Sequence, residues 1–299
     1  MERKVKSEKV KRFFQTGILV LLVSWSFVLL GEEPSFSLFF RPNPVPLTYL
    51  ATYHAQTTDV LNISQASGED QILKNTSIDT IEVQKDLTRI VPGGVTETGE
   101  GASPAAQTLE TEVRQYFIKK VDKGRPAKSI QPQQKKIRQS ATGRMIEPFE
   151  MEDVVAFGLP ISFPTELVGI GSAWDKKSEI RGEDLPVMTL HQDYKLNRVI
   201  DLNNRKVAEI DYSFRAGLQT TQITNDPEIL SKISELKGHN IESVSFEGAG
   251  RVAFDIERGT QVTQDLTMNR RIRKTTIRGE ERIMQDLLTL YEFTEALTN

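Results

Sequence analysis

Strict two-residue alternation is the feature that most limits what this chain can become. In "VAEIDYSF", Ala208, Ile210, Tyr212 and Phe214 fall on one side and Glu209, Asp211, Ser213 and Arg215 on the other, with Val207 outside the pattern. Helical neighbours recur about every 3.6 residues, so a period of two demands an extended strand with one face buried. The same rhythm returns in Val244, Phe246, Gly248, Gly250, Val252, Phe254 and Ile256, opposed by Ser245, Glu247, Ala249, Arg251, Ala253, Asp255 and Glu257. Asn203-Asn204 and Arg258-Gly259 interrupt these runs with residue types that tolerate positive φ, so each marks a tight turn. Residues 190–216 read as one hairpin. A second continues through Val262, Leu266 and Met268 on its return strand. The two glycines on the second apolar face allow a bend, or the close approach of something packed on the sheet.

Elsewhere the pattern is looser. Residues 78–91 alternate through Ile81, Val83 and Lys85, and "LETEVRQYFIKKV" carries Val113, Phe117 and Val121 at strand spacing. Between them, 92–108 is rich in Gly, Pro, Ser and Thr and reads as a flexible loop. Asp226, Pro227 and Gly238 bracket an apolar stripe of Ile229, Leu230, Ile233 and Leu236, which predicts one helix covering a sheet face. The end of the chain fits two patterns. Leu288 and Leu290 alternate, whereas Ile283, Leu287, Leu290 and Tyr291 suit a helix; the strand is the preferred reading.

The opening of the chain is of another kind. Arg3, Lys4, Lys6, Lys9, Lys11 and Arg12 form a basic leader, and no charge follows from Phe13 to Gly31. At about 1.5 Å rise per residue that stretch spans a bilayer core of about 30 Å. The positive flank keeps residues 1–12 in the cytoplasm and sends the rest outside. The exit, Phe27-Val28-Leu29-Leu30-Gly31, is bulky where a cleavage site needs small residues. The expected organisation is therefore a basic tail (1–12), a transmembrane signal anchor (13–31), a linker (32–46) and an extracytoplasmic β-rich domain (47–299). The protein would sit in an inner membrane as a single-pass chain, in contact with membrane lipid through 13–31. Export after signal cleavage is the alternative. Phe36, Leu38, Phe39 and Phe40 are expected at the lipid interface.

Composition narrows the chemistry. With 38 Lys and Arg against 41 Asp and Glu the net charge is −3, which argues against nucleic acid as a partner. The basic run from Lys119 to Arg144 suits an anionic lipid or polymer, but a solvated strand pair is the preferred reading. The chain has no cysteine, so disulfides, thiolate metal sites and lipid attachment at cysteine are excluded. His54, His191 and His239 are far apart and form no local metal motif. "GAGRVA" (248–253) resembles a nucleotide fingerprint, but the strand rhythm runs through it, where such a motif requires a helix to begin. No cofactor, catalytic residue or metal ligand is assigned. The chain reads as a non-enzyme, with a hydrolase using a dispersed site, His191 among its candidates, as the minority alternative.

"FPTELVGIGSAW" (163–174) places Pro164, Val168, Gly171 and Trp174 in the spacing P-x-x-x-V-x-x-G-x-x-W. Over residues 145–299 this resembles uncharacterised bacterial cell-envelope β-proteins that are similar to the LolA and LppX carriers. The resemblance implies a bent sheet wrapping a helix around an apolar hollow. Read from the residues alone, Trp174 is a core anchor. The expected fold is mainly β (α+β), a transmembrane helix followed by a curved antiparallel sheet or half-barrel with a covering helix. The expected function is a non-catalytic binding or structural module of the cell envelope. The alternatives are a lipid or apolar-ligand carrier, or an assembly part docking another envelope protein. Ala208, Ile210, Tyr212, Phe214, Phe246, Val252 and Phe254 are the candidate ligand face, or else a closed core.

Overall fold

The computed structural model describes residues 34–64, 70–92, 107–122, 125–126, 133–182, 187–219, 239–278 and 281–298. The chain divides into two units, Met1–Ser35 and Phe36–Asn299, and the account below concerns the second. The strands β1 (Ser35–Phe36), β2 (Asn43–Ser64), β3 (Asp70–Ile90) and β4 (Thr108–Asp122) come first. Four short ones follow: β5 (Arg125–Pro126), β6 (Gln133–Ser140), β7 (Phe149–Glu150) and β8 (Val168–Gly169). The remainder is β9 (Ala173–Arg181), β10 (Met188–Leu202), β11 (Arg205–Gln219), β12 (His239–Asp255), β13 (Thr260–Arg278) and β14 (Glu281–Leu297).

These strands build a curled half-barrel sheet of twelve strands in the order β5-β4-β3-β2-β14-β13-β12-β11-β10-β9-β7, with β6 beside β4. From β9 to β14 the chain is an antiparallel meander, and β14 then pairs with β2, joining the last strand to the first long one. Within this sheet the two-residue contact of β7 with β9 is parallel.

The alternation read from the sequence sets the register. Ala208, Ile210, Tyr212 and Phe214 oppose Phe254, Val252, Gly250 and Gly248 across β11 and β12, and Val207, outside the pattern, is also buried. Asn203 and Asn204 have φ of 52° and 63°, so the β10–β11 turn uses the left-handed backbone that asparagine tolerates. The C-terminal segment is strand, as β14. The anchor expected at 13–31 and the covering helix expected at 226–238 lie outside the described residues, as do 93–106 of the expected loop. Among the described residues, helix is confined to a 3₁₀ turn, Met151–Asp153, and the single-turn α1 (Val154–Phe157), and no helix is long and apolar enough to cross a membrane.

One expectation fails. Leu38 and Phe40 do not lie ready for a lipid interface; both are buried, and Phe36 and Phe39 pack against the same core. The Phe40 ring lies 5.1 Å from Phe163 and 5.5 Å from Phe254, and its N–H donates to the Ala141 carbonyl. Aromatic rings gain more from this packing than from a wet surface.

The inward glycines have a measurable reason. A Cβ on Gly248 would stand 2.2 Å from the Thr267 carbonyl oxygen and 2.6 Å from the Phe214 ring. A Cβ on Gly250 would stand 2.3 Å from the Asp265 carbonyl oxygen and 2.6 Å from the Tyr212 hydroxyl. The rings of the neighbouring strand lie where these side chains would be. Gly248→Ala is therefore an overpacking substitution, expected to cost about 1–3 kcal/mol in equilibrium urea unfolding with the m-value unchanged.

Candidate functional site: a concave face and what fills it

All seven residues of the candidate ligand face sit on the concave side of the sheet and are 0–4% exposed. They share one core cluster with Leu38, Phe40, Phe149, Leu159, Ile161 and Phe163. The aromatic members form a row across strands. Trp174 stacks on Tyr194 at 5.4 Å, Tyr194 meets Tyr212 at 6.0 Å, and Tyr212 meets Phe214 at 6.4 Å. Trp174 is half-buried and packs against the core, consistent with the anchor role read from the sequence.

Against this face lies a stretch of the chain itself, Ala156 to Phe163. Past the helical turn that ends at Phe157 it is irregular, so its backbone groups have no ladder to join, and a buried backbone group must find a partner. Side chains of the sheet supply them. Lys85 Nζ on β3 donates to the Ala156 carbonyl at 2.6 Å. Gln264 Nε2 on β13 donates to the Leu159 carbonyl at 3.1 Å, and Gln192 Nε2 on β10 to that of Pro160 at 2.8 Å. Trp174 Nε1 on β9 donates to the Ser162 carbonyl at 2.9 Å, and the Tyr194 hydroxyl accepts from the Ser162 N–H at 3.1 Å. Gly158 has φ +70°, and a Cβ there would meet Gln264 Oε1 at 2.0 Å, so glycine is required where the segment turns past that amide.

Two charged side chains are fully enclosed. Lys85 Nζ lies 2.5 Å from Glu295 Oε2, with both residues buried. Lys85 stood in the apolar phase of its strand in the sequence, and this pair is why. Tyr49 on β2 donates to the Gln261 carbonyl at 2.8 Å. Burial pushes its pKa up to about 12. Burial likewise raises the pKa of Tyr53, Tyr194 and Tyr212, opposed at Tyr194 by the Ser162 N–H and at Tyr212 by Gln264.

The opposite face carries polar chemistry. Two adjoining open hollows of about 500 and 610 Å³ share Arg215 and Glu247; Asp193 and Asn269 line the first, and His191 and Ser245 the second. His54 bonds Thr80 Oγ1 through Nδ1 at 2.9 Å on a distant strand, and the His239 side chain lies outside the described residues. Among the described residues no group of three or more His, Cys, Asp or Glu is placed to hold a metal ion. Three described members of the basic run are paired locally. Lys136 pairs with Glu110 and Glu112 at 3.1 and 3.3 Å, Arg138 with Glu110 at 3.6 Å, and Lys135 with Asp153.

Reasoning from sequence assigned the strand residues and missed their partner. The signal was present: "VVAFGLPISF" (154–163) is an apolar run with neither helical nor strand period, broken by Gly158 and Pro160. Such a run has no solvent face. No protein-family model matches the chain, and no curated protein matches it.

Two outcomes follow. Lys85→Met leaves Glu295 buried and unpaired and is expected to cost about 3–5 kcal/mol by urea unfolding, most of it recovered in Lys85→Met/Glu295→Leu. Tyr49 holds its proton more tightly folded than unfolded, so its contribution is full below pH 10.0 and declines as the pH rises toward about 12. Three further buried tyrosines act in the same direction. Arg89, lowered by burial from 12.5 to about 10, acts in the opposite one. The tyrosines prevail, so an alkaline titration followed by circular dichroism and tyrosinate absorbance should show unfolding and tyrosine ionisation together above pH 10.0.

Proposed function

We propose that the chain is a non-catalytic structural or binding module of a cell envelope. In this reading residues 13–31 hold it in an inner membrane, residues 1–12 lie in the cytoplasm, and the folded body stands outside. The observation that carries the non-carrier part is the filling of the concave face. Five side chains on four strands bond the backbone of residues 156–162, and the seven-residue apolar face closes on Leu159, Ile161 and Phe163. A cargo on that face would have to displace the segment and leave its own and the sheet's polar groups unpaired, which is costly. The anchor rests on sequence alone, on the uncharged stretch from Phe13 to Gly31 between a basic leader and Glu32-Glu33. The curled sheet agrees with the likeness to LolA and LppX carriers in general outline, and the filled face argues for a different use of it.

Native mass spectrometry of the protein, released from its own membranes in mild detergent, tests both parts. The expected result is the mass of the whole chain with no lipid surviving detergent exchange. A mass lacking the first ~30 residues would remove the anchor. A stoichiometric lipid that persists would overturn the closed face and favour the carrier.

A further inference from the structure

The charges inside this core do not cancel. Lys85 and Glu295 neutralise each other at 2.5 Å, and the buried Asp255 is paired with Arg205 at 3.5 Å, which leaves Arg89 on β3, only 4% exposed. Its Nε donates to Thr111 Oγ1 at 3.3 Å and one terminal nitrogen to the Gly259 carbonyl at 3.4 Å, both long. Its guanidinium carbon lies 4.4 Å from the centre of the Phe40 ring. None of these partners is an anion, and among the described residues no Asp or Glu pairs with it. Two of its five N–H donors are used. Burial lowers its pKa only to about 10, so it remains charged at neutral pH.

Beside Arg89 is a partly enclosed cavity of about 40 Å³, walled by Phe40, Tyr49, Thr111, Gln139, Ile161 and Glu295 among others. By the same measure one water needs about 10–15 Å³. The space is therefore large enough to admit a monatomic ion such as a halide. Glu295 faces the same cavity, but its charge is already met by Lys85. Tyr49 is uncharged up to about pH 12. The electrostatic balance around the cavity is one positive charge, in a site where screening by water is weak.

We propose that this cavity is a halide site, in which one chloride ion neutralises Arg89 and ties β3 and β4 to the segment at 157–161. Its positive charge and its room for a monatomic ion suit chloride or bromide.

The test uses the full chain in mild detergent. Thermal unfolding is followed while sodium chloride replaces sodium gluconate at constant ionic strength. The expected result is a rise in Tm of about 2–4 °C between chloride-free and saturating conditions, reproduced by bromide and absent in Arg89→Met. Crystals grown in sodium bromide should show an anomalous peak in the cavity within hydrogen-bonding reach of Arg89, which decides the matter if Arg89→Met does not fold. A Tm indifferent to halide together with density for water alone overturns the proposal. A bromide peak without any shift in Tm means an adventitious ion only and overturns it equally.

Discussion

The capture of an irregular backbone by side chains of the sheet is the interaction on which the rest of this structure depends. A half-barrel sheet has a concave face that must be covered, and the described residues offer only one helical turn with which to cover it. The chain covers it with the end of that turn and the irregular residues 158–163, which have no ladder of their own. Their carbonyls would be orphaned in an apolar interior, at a cost of about 1–3 kcal/mol each. This is why polar residues stand at inward positions of otherwise apolar strands. Lys85, Gln192 and Gln264 each interrupt a buried row, and each reaches a carbonyl of the same segment.

That arrangement also orders the aromatic side chains. Tyr194 and Tyr212 could fill space as phenylalanine would, but their hydroxyls bond Ser162 and Gln264, which tie the row of rings to the captured segment. The rings then need room on the neighbouring strand, and Gly248 and Gly250 give it. Packing and hydrogen bonding thus specify one another: the glycines are set by the rings, the rings by the segment.

Much of this was legible in the sequence, for a definable reason. Where one sheet face is buried and the other wet, each residue reports its side, and β11 and β12 could be placed in register from alternation and two turn dipeptides. The C-terminal strand was less distinct because Leu288 and Leu290 are apolar on the outward face, so alternation there is blurred. The filling of the concave face was not legible. A strand's period says which side is buried and nothing about what buries it, and residues 154–163 carry no period at all. Leu38 and Phe40 misled for the same reason. Apolar residues after an apolar, uncharged stretch read as lipid contacts, whereas their partners, Phe163 and Phe254, are more than a hundred positions away.

These facts bear on use as well as on fold. A carrier of this architecture needs a hollow whose lining is satisfied when empty and when full. Here the lining is satisfied by the chain, through bonds that no acyl chain could replace, since a hydrocarbon offers no carbonyl to Lys85, Gln192 or Gln264. Loading would take one acceptor each from Lys85, Gln192 and Gln264 and leave the carbonyls of the segment without these partners. On the proposed reading the inward surface holds the body together. The polar hollows around Arg215 and Glu247 lie on the opposite, outward face. There both side chains lie on the shared rim and no ion pair joins them to other described residues, so a polar partner could engage them without first breaking a bond of the fold.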